Sequence, residues 1–386
     1  MSVTAAQGFR AAGVRAGLRA HGERPDLALV INDGPEQTAA GVFTRNQVKA
    51  APVLWSQQVL REQSLRAVVL NAGGANACTG PDGFGDTHRT AEKVADVLGC
   101  GAIEVAVCST GLIGERLPIE QLLHGVDEAA AELADGEEAG TRAATAVLTT
   151  DTVEKQAAVS RHGWTVGGFA KGAGMMAPSL ATMLVVVTTD AVVDAATADA
   201  ALRAATATTF ERLDIDSSTS TNDTVLLLAS GGSGVEADAD AFTEVLTEVC
   251  ADLAKGLQAD AEGVTKRITV TVGGARDDHD ALVGARAIAR DSLVKTALFG
   301  ADPNWGRIAA AVGASEAQVD PQSLSVTVNG VLLCEAATAV GDRSKVDLSG
   351  PEVTVEVDLG LGEGTATVLT TDLSHAYVEE NSAYST

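Results

Sequence analysis

The segment GFAKGAGMMAPSLATMLVVVTTDA, residues 168–191, places small residues and one proline before a threonine and a dense apolar run after it. Thr182 stands at that joint. A threonine hydroxyl is a weak nucleophile near neutral pH and needs a base beside it, and one solution is the threonine's own α-amine. That amine is free only if the chain is cut between Ala181 and Thr182. The chemistry of such a cut lies within the segment itself: the hydroxyl attacks the preceding carbonyl, an ester forms, and water releases it. Gly172 and Gly174 permit unusual backbone angles and Pro178 fixes one, as a strained turn would require. The freed amine has an ordinary pKa of about 7.7–8.0, suited to base catalysis. Acyl transfer also needs donors for an oxyanion, and CSTGLIG offers the Thr110 hydroxyl and the Gly111 N–H on a turn after an apolar run. Lys171 could hold a carboxylate, and Glu262 in DAEGVTK could hold an amino group. By pattern alone each has an ordinary alternative: a strand-opening threonine, a turn, a solvated lysine and a helix-terminal acid.

Other chemistries find less support. The lysine of GFAKGAG precedes its glycines and no GK[ST] follows, so it is not a phosphate loop. No GxGxxG joins a strand to a helix, no GxSxG elbow occurs, and the six histidines are scattered without an HxxxH pair. Cys78, Cys100, Cys108, Cys250 and Cys334 are odd in number and widely spaced, which argues against zinc and a disulfide framework and fits a reducing cytoplasm. Asp214 and Asp216 miss the spacing of a calcium loop. No metal is expected. With 27 Lys and Arg against 52 Asp and Glu, the net charge of −25 argues against nucleic acid and anionic membrane as partners. The N-terminal stretch has no apolar signal core, and no apolar run approaches the ~20 residues of a membrane span.

The elements that must position these residues alternate. LALVIN (27–32) and RAVVLN (66–71) read as buried strands, followed by a loop at 72–80 and a helix over 87–98. A strand at 103–108 and a helix over 119–133 repeat the plan, and ADGEEAG reads as a linker. AATAVLTTDT reads as a strand ending at Thr149–Thr150, and WTVGGFAKGAGMM as a loose approach to Thr182. MLVVVTTDA is too apolar to alternate, so both faces of that strand should be buried. A helix over 195–211, a polar loop and a buried strand follow. Phe242, Leu246, Val249 and Leu253 then mark one face of a helix. A domain boundary is placed near 275, giving a main catalytic domain, 1–275, and a smaller one, 276–386. The latter holds a helix over 281–298, the loop GADPNWGR and alternating strands. The class is α/β or α+β.

Taken together, KGAGMMAPSLATML, CSTGLIGE, TTDT, DAEGVTK, DSLVKTALFGADPNWGR and HAYVEENSAYST resemble the ornithine acetyltransferase family, the bifunctional glutamate N-acetyltransferase of arginine biosynthesis. The likeness runs from GFRAAGVRAGLR, near residue 8, to the last residue. It implies self-cleavage between Ala181 and Thr182, giving an α chain 1–181 and a β chain 182–386. Thr182 would carry the acetyl group, and Thr110 and Gly111 would form the oxyanion hole. Thr149, Lys171, Thr182, Glu262, Asn381 and Thr386 match the family's substrate-binding positions. The implied cycle is ping-pong: N-acetylornithine acetylates Thr182 and ornithine leaves, then glutamate accepts the acetyl group and leaves as N-acetylglutamate. No cofactor is implied. The implied fold is a layered αββα-type α/β structure related to a self-processing aminopeptidase family, with a smaller α+β C-terminal domain and an α2β2 assembly. Whether acetyl-CoA is a further donor stays open. No CoA signature is legible, and the acidic charge favours the monofunctional cycle. Two departures from the expected pattern are Ala72 and Gly74 in NAGGANACTG and Glu154 in TTDTVEKQ. The alternatives are an acyltransferase paralogue with another acceptor, a self-processing aminopeptidase or amidase, and a precursor that never cleaves.

Overall fold

The computed structural model describes residues 2–19, 22–177 and 183–383. In it, the most apolar runs of the sequence are strands buried at every residue, and that burial dictates the layering. β1 (Phe9–Val14), β2 (Leu27–Asn32), β4 (Ala67–Asn71) and β5 (Val105–Ser109) form one sheet in that order. β3 (Thr38–Phe43), β9 (Thr224–Ala229), β8 (Leu184–Thr189), β7 (Trp164–Lys171) and β6 (Lys155–Arg161) form a second. β2, β8 and β9 are buried along their whole length, so each needs cover on both faces. One core supplies it, joining Leu29 and Val30 of the first sheet to Val186 and Leu228 of the second. Helices α2 (Gly80–Leu98), α3 (Ile119–Ala131) and α4 (Glu137–Ala146) pack on the first sheet. Helices α5 (Ala195–Thr208) and α6 (Ala239–Ala259) pack on the second. The result is a layered α/β unit, as expected.

α1 (Ala51–Val59) has a different task. β5 is an edge strand, and its outward backbone groups would otherwise be open for pairing. Trp55 Nε1 donates to Val105 O at 3.0 Å, and Ser56 Oγ donates to Val107 O at 2.7 Å while accepting the Val107 N–H at 3.0 Å. Two side chains thus stand in for a neighbouring strand.

That unit comprises Met1–Glu211 and Ser218–Asp260, and a second comprises Arg212–Ser217 and Ala261–Ser385. The division therefore falls ahead of the expected edge at 275. The reason is β10 (Arg267–Ala275), which pairs with β14 (Glu352–Asp358) and β15 (Gly364–Thr371) inside the second unit's sheet. β11 (Ser325–Val328), β12 (Val331–Glu335) and β13 (Thr338–Ala339) complete that sheet. In β14, Val353, Val355 and Val357 point into the core and the intervening residues to solvent. Helices α7 (Asp278–Arg290), α8 (Ser292–Phe299) and α9 (Trp305–Gly313) supply the core's other side, and α10 (His375–Ala383) ends the described chain.

Four further readings are corrected. α2 begins at Gly80 and not near 87, because Pro81 suits a first helical turn and Gly83 tolerates a close approach. A Cβ at Gly83 would lie 1.9 Å from Thr79 Oγ1. AATA belongs to α4, since its alanines favour a helix packed on β1, where a Cβ at Gly13 would strike Arg142 O at 2.1 Å. WTVGGFAK is a strand, turned by His162 and Gly163 at φ 56° and 87°. Its glycines hid it, yet Gly168 is required there: a Cβ would lie 2.7 Å from Val186 O. The expected helix over 281–298 is two helices, because Asp291 leaves the helical conformation and caps α8 by accepting the Val294 N–H at 2.9 Å.

Candidate active site

Parallel strands β4 and β5 end together at the pair Asn71 and Ser109, so the loops that follow them leave from one end of the sheet. Ser109 Oγ donates to Asn71 Oδ1 at 2.6 Å, and Asn71 Nδ2 donates to Gly74 O at 3.2 Å. Asn222 Nδ2 ties the same two loops by donating to Ala75 O at 2.6 Å and Ser109 O at 2.8 Å. Thr110 and Gly111 sit on this scaffold. Gly111 has φ 128°, and a Cβ there would lie 2.6 Å from Gly74 N. Gly111 is therefore glycine for a close backbone approach. Gly74, one of the noted departures, belongs to the same contact: Thr110 and Gly74 form an isolated β-bridge.

Lys171 closes β7, opposite Leu184, which opens β8. Its side chain is buried, and Nζ donates to Thr149 Oγ1 at 2.8 Å and to Thr110 Oγ1 at 3.2 Å. The expected oxyanion residue and two expected substrate-binding residues thus meet at one ammonium group. The geometry has a chemical consequence. A threonine oxygen that accepts from Lys171 keeps its own proton to donate, so the Thr110 hydroxyl is oriented as a donor near a fixed positive charge.

Buried charges beneath this cluster hold it in place. Asp151 Oδ1 accepts from Lys155 Nζ and Gly172 N, both at 2.6 Å, and Oδ2 accepts from Thr149 N at 3.0 Å. Lys171 Nζ lies 3.7 Å from Oδ2. Burial opposes ionisation of Asp151, but the Lys171 and Lys155 charges outweigh it and hold the carboxyl well below the usual carboxylate range. Lys155 also pairs with Asp260 at 2.5 Å. Asp260 in turn accepts from Thr152 N at 2.9 Å and Val153 N at 3.3 Å, which anchors the turn that leads to Glu154. Sequence reading passed over Asp151, Lys155 and Asp260. No local signal marked them, because an acid within TTDT reads as a surface residue until the fold buries it.

In the second unit, Glu262 accepts a hydrogen bond from Asn381 Nδ2 at 2.9 Å, so two expected substrate-binding residues are partners there. Asn381 Nδ2 also donates to Tyr377 O at 2.9 Å. Ala181, Thr182, Pro178 and Thr386 lie outside the described residues. In the approach to them Gly172 has φ 154°, but the left-handed residue is Met175, at φ 53°, and not Gly174. Among the described residues no group of His, Cys, Asp and Glu is arranged to hold a metal ion, and no helix is long and apolar enough to cross a membrane.

A family model described as the ArgJ family matches residues 10–386. The chain belongs to the ArgJ family. This bears out the resemblance read from the motifs, and it makes the protein an acyltransferase of arginine biosynthesis. The ArgJ relatives include the arginine biosynthesis bifunctional protein ArgJ of Mycolicibacterium paratuberculosis, 62% identical over 99% of this chain and 96% of the relative. The protein of the same name from Streptomyces coelicolor is 58% identical over the whole of both chains. A solved structure of ornithine acetyltransferase from Mycobacterium tuberculosis, complexed with ornithine, is 64% identical. It spans 47% of this chain and 96% of its own, with a TM-score of 0.46.

Proposed function

We propose that this ArgJ-family enzyme moves an acetyl group from N-acetylornithine to glutamate through an acetyl-Thr182 intermediate, after cutting itself between Ala181 and Thr182. The observation that carries the reading is the meeting of Thr110, Thr149 and Lys171 beside the start of β8, whose strand directly follows residues 182 and 183. The Thr182 hydroxyl attacks the acetyl carbonyl, and its proton passes to the α-amine. Thr110 and Gly111 stabilise the oxyanion. The carbon–nitrogen bond of the substrate breaks, the amine returns the proton to the leaving nitrogen, and ornithine departs. Glutamate's α-amine then attacks the acetyl ester and the steps reverse. Lys171 and Thr149 bind the substrate, and the resemblance assigns Glu262, Asn381 and Thr386 to it as well. The chains 1–181 and 182–386 would assemble as α2β2 in the cytoplasm. The acidic charge favours the monofunctional cycle, and the resemblance leaves acetyl-CoA open as a second donor.

Intact mass spectrometry of the denatured protein, paired with a transfer assay, tests this. Two fragments meeting between Ala181 and Thr182 are expected, and Thr182→Ala should stay uncut and transfer nothing. An active enzyme of a single full-length mass would remove the α-amine base. Release of free acetate in place of N-acetylglutamate would favour an amidase.

A further inference from the structure

Asp223 opens β9's approach in STNDT, and nothing in the acyl-transfer reading uses it. Its side chain is fully buried, 0% exposed. Oδ1 accepts the Met183 N–H at 3.1 Å, while Oδ2 has no hydrogen-bond partner among the described residues. Thr44 and Ser220 bring hydroxyls near, but Thr44 Oγ1 donates to Ser220 O at 2.7 Å. The charged group facing the carboxyl is Lys171, on β7. Burial lifts Asp223 well above the usual carboxylate range, and the Met183 N–H, the two hydroxyls and Lys171 pull the other way without prevailing. Folded proteins rarely keep a buried carboxyl oxygen unpaired, and those that do call for an explanation.

Covalent geometry puts a group of residue 182 within reach of Asp223. Met183 N is bonded to the carbonyl carbon of residue 182. The α-nitrogen of residue 182 is three bonds from Met183 N, at most about 3.7 Å away. Met183 is itself tethered on its other side, its carbonyl accepting the Thr224 N–H at 3.0 Å.

We propose that Asp223 is a positioning residue for the nucleophile: Oδ1 fixes the peptide N–H that follows residue 182, and Oδ2 is the acceptor for the α-amine that cleavage releases. The inference rests on the proposed role of Thr182. Cleavage replaces an amide N–H with an amine that can become a cation, and a cation beside it favours the carboxylate form of Asp223. When the amine takes the hydroxyl proton it becomes an ammonium, which the carboxylate stabilises. The proton returns to the leaving nitrogen of the substrate, and Asp223 ends the cycle unchanged.

The test is Asp223→Asn, which is isosteric and keeps an acceptor for the Met183 N–H. Self-cleavage should survive, because the uncut chain has no amine at residue 182. kcat for transfer should fall by about 100-fold, in the range lost with acid–base assistance. KM should stay within about twofold, since substrate binding is untouched. The acid limb of the kcat–pH profile should move to lower pH, because the amine loses the carboxylate that raises its pKa. Wild-type kcat with an unmoved limb, or a raised KM at constant kcat, would overturn the proposal. If the variant does not fold, a crystal structure of the cleaved wild-type enzyme decides. The α-nitrogen of residue 182 within about 3.2 Å of Oδ2 supports the proposal, and a separation beyond hydrogen-bond reach, above about 4 Å, overturns it. An uncut, inactive Thr182→Ala beside a wild-type-like Asp223→Asn sinks this inference alone. A Thr182→Ala enzyme that still transfers acetyl sinks the reading beneath it.

Discussion

Replacing Asp151 by asparagine removes the negative charge that lies between two buried lysines. Lys171 would lose its carboxylate neighbour at 3.7 Å, and Lys155 would keep only Asp260. Asparagine can still accept from Gly172 N or Thr149 N, so the loss is mainly of charge. Breaking a buried ion pair from one side costs about 3–5 kcal/mol, and Asp151→Asn should fall in that range. Lys155→Met alone should cost a similar amount. The double variant should be less damaged than the sum by about 1–3 kcal/mol, because the first change leaves the second charge with less to lose. Urea unfolding of the four proteins measures both quantities. The transfer assay measures whether Lys171, deprived of this anchor, still orients Thr110 and Thr149; kcat/KM should fall. The pH dependence has a definite sign. The folded pKa of Asp151 is depressed, so its stabilisation is complete above the unfolded carboxylate value, about 3.9, and disappears as the pH falls towards the depressed value. Asp151→Asn should therefore flatten the acid side of the stability curve. A cost below about 1 kcal/mol, or strict additivity with Lys155→Met, would show that these four charges do not act as one network.

Two further outcomes follow from particular contacts. Gly111→Ala puts a Cβ 2.6 Å from Gly74 N at φ 128°, so the turn must shift; kcat for transfer should drop by about 100-fold or more, and an unchanged kcat would remove Gly111 from the oxyanion site. Burial holds Lys295 down to about 8, below its unfolded value of about 10.4, and the carboxylates of Asp214, Asp216 and Asp372 raise it only in part. The unfolded chain then binds more protons between those values, so stability should rise by at most about 3 kcal/mol as the pH goes from about 8 to about 10. Lys295→Met should lose that rise in pH-dependent unfolding.

Much of the layered unit was legible because its strands are apolar without alternation. β2, β8 and β9 could be read directly, and their burial on both faces required two covered sheets. The C-terminal strands were legible for the opposite reason, a strict alternation that leaves one face in solvent. The reading failed where small residues carry two meanings. Glycines in WTVGGFAK looked like a loop, but Gly168 sits in a strand because a neighbouring backbone passes close. Alanines in AATA fit a strand or a helix, and packing on β1 selects the helix.

By itself the sequence determined which chemistry was on offer: a threonine at 182 after a glycine-rich approach, a Thr110–Gly111 turn, one lysine, and motifs long enough to mark a family. Tertiary structure alone decided which of these meet. Thr110, Thr149 and Lys171 converge only because β5 and β7 end at the same place, and a hydrogen bond across 61 positions leaves no local trace in composition or spacing. The buried acids were invisible for the same physical reason. Asp151 and Asp223 look like surface residues until burial removes water and leaves each carboxyl to be settled by whatever donors the fold has brought to it.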